Sequence, residues 1–171
     1  MNKLIEILNC DCKWGIGKRN GLLFRLPKDM KFFRETTLNH VVAMGENTLL
    51  SFPGGKPLKD RESIVLSGDE THNYEGVINV HSFEAFLSAI KEKLGSQDVY
   101  IIGGASIYRQ LLPYCDEVLL TKVNEDGLAE VFFENLDEKK EWQLISSSPV
   151  EDDNGHPISF CTYRNSKKLP L

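Results

Sequence analysis

Two stretches of this 171-residue chain carry the same punctuation. His40-Val41-Val42-Ala43-Met44 runs into Gly45 and then into Glu46-Asn47-Thr48-Leu49-Leu50. Val99-Tyr100-Ile101-Ile102 runs into Gly103-Gly104 and then into Ala105-Ser106-Ile107-Tyr108. A short unbroken apolar run suits a strand buried on both faces. A strand that passes through glycine straight into a helix suits a parallel sheet covered by helices. Glycine lets a ligand approach the backbone closely, and a helix start offers free N–H groups to an anion. Two such ends on one sheet suit a pyrophosphate held from both sides, and the hydroxyl of Thr48 strengthens that reading toward a dinucleotide. Tight turns of this kind also serve any α/β protein, so neither one alone assigns a function.

The rest of the chain follows the same alternation. Residues 3–8 read as a buried opening strand, and residues 9–22, rich in glycine and charge, as a mobile loop. Gly15, Gly17 and Gly21 are spaced G-x-G-x-x-x-G with no helix directly after them, so the dinucleotide fingerprint fails there. A helix is expected over residues 27–38, with Pro27 in its first turn and Met30, Phe33 and Thr37 as its inward stripe. A short helix over 46–52 ends at Pro53-Gly54-Gly55, and strands follow at 63–67 and 77–80. Ser82 caps a helix through residue 94 with Phe83, Phe86, Leu87 and Ile90 on one face and Gly95 past its end. A helix over 105–112 stops at Pro113, and a strand occupies 117–123. Strands at 142–148 and 158–164 flank Asp152-Asp153-Asn154-Gly155 as a hairpin. This order predicts an α/β single domain: a mostly parallel mixed β-sheet flanked by about four helices, with a C-terminal antiparallel hairpin at its edge. The domain spans residues 1–165, and residues 166–171 form a frayed C-terminal tail.

Composition narrows the partners. A net charge of −5, with no basic run longer than two residues, argues against nucleic acid. Cys10, Cys12, Cys115 and Cys161 form no C-x-x-C pair and the four histidines are scattered, so no zinc site is expected. Reduced thiols, the lack of a signal pattern and the lack of a membrane-spanning run point to a cytoplasmic protein that binds no membrane. No long apolar stripe is left for self-association, so a monomer is expected.

Leu26-Pro27-Lys28-Asp29-Met30-Lys31-Phe32-Phe33 places one acid beside the apolar face of its helix. A carboxylate against apolar walls has its charged form disfavoured, so its pKa rises. Such a group can hold a cationic or amide-like ligand and assist a proton transfer. An acid in the first turn also simply complements the helix dipole, and these residues alone leave both readings open.

Taken in order, Gly15-Ile16-Gly17, the Leu26–Phe33 segment, Met44-Gly45-x-x-Thr48, Ile102-Gly103-Gly104-Ala105-x-Ile107-Tyr108 and Leu120-Thr121 resemble dihydrofolate reductase across residues 4–164. The resemblance implies reduction of 7,8-dihydrofolate to tetrahydrofolate by hydride transfer from NADPH, without a metal. It makes Asp29 the catalytic carboxylate, binding the pterin and assisting protonation. Thr121 becomes the hydroxyl that bridges Asp29 to the pterin, and Ile7, Leu8, Phe33, Leu58, Ile102 and Tyr108 join it around the substrate. Arg61 takes the glutamate α-carboxylate, a bidentate task that lysine performs poorly. The cofactor falls to Asn9, Ile16, Gly17, Gly45, Glu46, Asn47, Thr48, Leu66, Ser67, Gly103, Gly104, Ala105, Ser106 and Ile107, with Gly103-Gly104 matching a pair joined by a cis peptide. Antifolates such as trimethoprim and methotrexate become expected ligands. The chemistry agrees: hydride transfer needs two carbons held close in a dry site, one proton-managing group and a cofactor.

Four departures from the family pattern stand out. Leu23-Phe24 replaces Pro-Trp, Leu8 replaces a small residue, and Leu49-Leu50 replaces an aromatic-acid pair. Glu46 stands where a basic residue meets the 2′-phosphate, and neither Ser106 nor Gly68-Asp69-Glu70 offers a cation. A carboxylate there repels phosphate and suits a ribose hydroxyl, so a weakened NADPH preference that admits NADH is expected. Two alternatives share the architecture. One is a reductase of another heterocycle, of the riboflavin-pathway pyrimidine type, which resembles this chain around Gly103-Gly104 but does not require Asp29, Arg61 and Thr121. The other is a nucleotide-binding module without turnover.

Overall fold

Six strands supply the parallel sheet that the strand-glycine-helix units demand. In the computed structural model, which describes residues 1–19 and 21–171, β1 (Leu4–Cys10) lies between β6 (Val99–Ile101) and β7 (Glu117–Val123). β6 pairs with β3 (Val41–Gly45), β3 with β4 (Glu62–Leu66) and β4 with β5 (Ile78–Val80), all parallel. β11 (His156–Asn165) runs antiparallel to β7 and carries β9 (Trp142–Ser147) and β10 (Glu151–Asp153) beyond it. Strands 142–148 and 158–164 do pair, as expected, but the tight hairpin joins β10 to β11. It turns at Asn154 and Gly155, both with positive φ (55° and 87°), as a two-residue hairpin turn requires. β10 escaped the sequence because Glu-Asp-Asp has poor strand propensity.

Side chains on β1 alternate faces. Leu4 enters one cluster with Val41, Ala43, Val99 and Ile101, covered by α3 (Phe83–Leu94) and α4 (Ala105–Leu111). Ile5 and Ile7 enter the other with Val42, Met44, Val65 and Tyr100, covered by α1 (Pro27–Thr37) and α2 (Glu46–Ser51). Ser82 caps α3 by accepting the Ala85 N–H at 3.1 Å, and Phe86 and Ile90 fill the core beneath it. On α1 the expected stripe is displaced. Met30 is 55% exposed, while Phe32 and Phe33 pack on the sheet and Thr37 is buried.

Two expectations are corrected. The segment read as a loop over residues 9–22, which includes Asn20 outside the described residues, contains strand and hydrogen-bonded turn. β1 runs on through Asn9 and Cys10, and β2 (Gly15–Gly17) pairs antiparallel with β8 (Val131–Phe132). Asp11 accepts the N–H groups of Lys13, Gly15 and Gly127 at 2.7–3.0 Å. A side chain at Gly15 would meet the Ala129 Cβ at 2.3 Å. The tail is not frayed throughout. The Ser166 N–H donates to the Glu141 carbonyl, that of Leu169 to Pro113, and Leu171 packs against the core.

Candidate active site

Asp29 sits where α1 starts over the carboxyl ends of β1 and β7. The register explains its partners, because Asn9 and Thr121 lie directly opposite one another across the β1–β7 ladder. Thr121 Oγ1 donates to Asp29 Oδ1 at 2.6 Å and Asn9 Nδ2 donates to Oδ2 at 3.0 Å. Burial pushes the Asp29 carboxyl above the ordinary aspartate range. The bonds from Thr121 and Asn9 pull it down, and the nearby Asp153 pushes it up again. Asn9, expected among the cofactor contacts, has its side-chain amide on the Asp29 carboxyl. In the sequence Asp153 read only as a residue of the hairpin turn.

Apolar walls surround this carboxyl. Ile7 is buried, and Phe33 and Ile102 are half-buried in the same cluster, which also includes Phe52. Leu58 is half-buried between α2 and β4. Tyr108 is buried with its hydroxyl donating to the Ile7 carbonyl at 2.9 Å, so it fixes the β1 backbone beside the site; burial pushes its phenol up. Leu8 points to the opposite face of β1 from Ile7, against the α3–α4 cluster, where Ile16 also packs. Arg61 is spread against the end of α1: Nε donates to Thr37 Oγ1 (3.1 Å), Nη2 to the Arg34 carbonyl (2.7 Å) and Nη1 to the Lys59 carbonyl (2.6 Å). Three of its five N–H donors are thereby committed, leaving two for a ligand carboxylate.

The two glycine turns lie side by side. The Ile102 N–H donates to the Ala43 carbonyl and the Gly45 N–H to the Gly103 carbonyl, each at 3.0 Å. The Gly103–Gly104 peptide is cis, and Gly103 has φ 134°. A Cβ on Gly103 would meet Thr48 Oγ1 at 3.0 Å, and one on Gly45 would meet Ile107 Cγ1 at 3.2 Å. Both turns therefore need glycine for close packing against Thr48 and Ile107. Ala105 is half-buried, and Asn47 and Ser106 are exposed at the helix starts above them, Ser106 Oγ accepting from Gln110 at 2.8 Å. Leu66 and the buried Ser67 close the end of β4.

Glu46 has a partner the sequence did not disclose. His72 Nδ1 lies 2.7 Å from Glu46 Oε2, and its Nε2 lies 3.3 Å from Asp69 Oδ2. The Tyr74 hydroxyl also donates to Glu46 Oε2. That bond, with the imidazole, holds the Glu46 carboxyl below its ordinary range. The imidazole of His72 thus stands beside Glu46 and between two acids, a neighbour that the sequence did not disclose. The paired strand-to-helix turns and the Thr48 hydroxyl fit a dinucleotide, whereas Glu46 and Asp69 together do not favour an added phosphate. Among the described residues, no group of three or more His, Cys, Asp and Glu is placed to hold a metal ion, and no helix is long and apolar enough to cross a membrane.

Comparison with known proteins agrees with this geometry. A family model described as "Dihydrofolate reductase" matches residues 3–165. The chain is 32% identical over 145 residues to dihydrofolate reductase from Bacillus subtilis, covering 85% of this chain and 83% of that protein. It is 33% identical over 160 residues to dihydrofolate reductase from Staphylococcus haemolyticus, covering 92% of each. A solved structure of dihydrofolate reductase from Enterococcus faecalis, complexed with NADP(H) and RAB-propyl, superposes with a TM-score of 0.82 at 28% identity, covering 95% of this chain and 96% of that one.

Proposed function

The chain belongs to the dihydrofolate reductase family, and we propose that the cleft around Asp29 performs that family's reaction, reduction of 7,8-dihydrofolate to 5,6,7,8-tetrahydrofolate with NADPH. The observation that carries this reading is one half-buried carboxyl, held by Thr121 and Asn9 at the start of α1. NADPH, when bound, supplies the hydride. Gly45, Thr48, Gly103 and Gly104 would hold the dinucleotide, at the two strand-to-helix turns that lie side by side.

Each Asp29 oxygen accepts one protein hydrogen bond and retains acceptor capacity for the N–H edge of a pterin. Thr121 holds the carboxyl in one rotamer, so its proton is delivered from a fixed place. The raised pKa keeps a proton available nearer neutral pH than an exposed aspartate would. Ile7, Phe33 and Ile102 exclude water from the reacting carbons, and Arg61 fixes the far end of the substrate through its glutamate carboxylate. Leu58 lines the slot between these ends.

The same site is the place for antifolates of the trimethoprim and methotrexate kind, whose cationic heterocycles would pair with Asp29. Four free cysteines, with Cys12 exposed, suit a reducing cytoplasm, and we place the protein there as a monomer. The test is dihydrofolate-dependent oxidation of NADPH and of NADH by the wild type and by Asp29→Asn. Turnover by the wild type is expected, with a loss of about 10²- to 10⁴-fold in the variant near neutral pH and less at low pH, where substrate arrives protonated. No wild-type turnover with either nucleotide would overturn the reading, and an equal loss at every pH would remove the proton role.

A further inference from the structure

The start of α1 is clasped from a distant part of the chain. Leu26, at its N-cap, has no side-chain acceptor to offer, so the first N–H groups need other partners. Asp153, 1% exposed at the end of β10, supplies them: its Oδ1 accepts the N–H of Lys28 and its Oδ2 the N–H of Asp29, both at 3.0 Å. The hairpin adds three more contacts. Asn154 Nδ2 donates to the Arg25 carbonyl at 3.1 Å, Lys28 Nζ donates to the Asp152 carbonyl at 2.6 Å, and Lys28 pairs with Glu151 at 3.5 Å. One of the two capped N–H groups belongs to the residue whose carboxyl faces the cleft.

We propose that Asp153 is a positioning residue for the Asp29 chemistry: it fixes the first turn of α1 through the Lys28 and Asp29 N–H groups and sets a second negative charge beside the working carboxyl. The inference rests on the proposed role of Asp29. The groups facing Asp29 are few. Asn9 from β1 and Thr121 from β7 are neutral donors, Tyr108 from α4 is a buried neutral phenol, and the neighbouring Lys28 is turned to Glu151 and Asp152. Asp153 is therefore the charged group that acts on Asp29, and its field favours the protonated carboxyl. One side chain thus serves as helix cap and as electrostatic bias.

The test uses Asp153→Asn and Asp153→Ser, both uncharged and both able to accept an N–H, with Asp153→Glu as the variant that keeps the charge. Two readouts are taken: the pH profile of dihydrofolate turnover, and the carboxyl carbon resonance of Asp29 in the unligated protein, assigned by its loss in Asp29→Asn. In both neutral variants the Asp29 titration and the alkaline fall of turnover should move to lower pH. On that limb turnover should drop about tenfold for every pH unit by which the titration moves. Asp153→Glu should titrate close to the wild type. A lower melting temperature with an unmoved Asp29 titration in both neutral variants would reduce Asp153 to a cap and overturn the inference. The resonance needs no turnover, so a displaced titration in a protein that does not reduce dihydrofolate would support the coupling while removing the functional reading.

Discussion

Replacing Glu6 by methionine should stabilise the fold, and the gain should grow with pH. Glu6 lies on β1 with its side chain 0% exposed. Its Oε1 has no partner, and its Oε2 has only the Cys115 thiol at 3.6 Å. Burial pushes this carboxyl well above the usual range, so the folded chain keeps it neutral. Two costs then add. An unpaired buried polar atom costs about 1–3 kcal/mol, which an apolar side chain of similar length removes at every pH. The second cost comes from the proton. The unfolded chain ionises Glu6 above about 4.5 while the folded chain does not, so the stability it contributes is complete below that pH. It is lost as pH rises toward the folded-state value, at about 1.4 kcal/mol per pH unit. Urea unfolding of wild type, Glu6→Met and Glu6→Gln at pH 5, 6 and 7 separates the two costs. Methionine should gain about 1–3 kcal/mol at pH 5 and more at each higher pH. Glutamine keeps the unpaired polar atoms and should gain only the pH-dependent part. For a chain of this size each kcal/mol corresponds to roughly 2–4 °C in melting temperature. Wild-type and Glu6→Met stabilities that stay parallel across pH would refute the reasoning.

Two further outcomes concern the ends of the cleft. Glu46→Arg should raise the preference for NADPH over NADH by about 10- to 100-fold, since it replaces an acid with a charge-assisted donor beside the glycine turn; an unchanged ratio of kcat/KM for the two cofactors would exclude Glu46 from cofactor choice. Arg61→Lys should raise KM for dihydrofolate by about 10- to 100-fold with little change in kcat. A pterin substrate lacking the glutamate should show no such difference, and equal losses on both substrates would mean that Arg61 matters only as the clamp on Thr37 and Arg34.

What the sequence disclosed was local, and what it concealed depended on register or on long loops. The strand-glycine-helix units, the Ser82 cap and the Asn154-Gly155 turn are short patterns with one physical solution each, and the fold contains all of them. Asp29 was singled out by the family resemblance, since its proline start and apolar face alone left two readings open. Asn9 was not, since its use depends on standing opposite Thr121, a pairing of strands more than a hundred residues apart. Asp153 and His72 reach their partners 124 and 26 residues away, across turns no periodicity reports. Asp11 read as one charge in a glycine-rich loop, although three N–H groups converge on it.

The Asp29 carboxyl is held between opposing influences that come from different parts of the fold. Thr121 and Asn9 donate to its oxygens and so favour the anion, which in the proposed reaction would bind a cationic pterin edge. Burial against Ile7 and Phe33, with the charge of Asp153 behind the helix start, favours the neutral acid, which is the form that can give up a proton. Removing either donor should strand the carboxyl as an acid, and removing Asp153 should release it toward the anion, so the two sets of variants should move the pH profile in opposite directions. Geometry explains why this balance can be kept. The donors stand on neighbouring strands whose ladder fixes their separation, and the opposing charge is tied to the backbone of Asp29 itself. A carboxyl on a free loop would have neither constraint, and its proton affinity would follow the solvent rather than the fold.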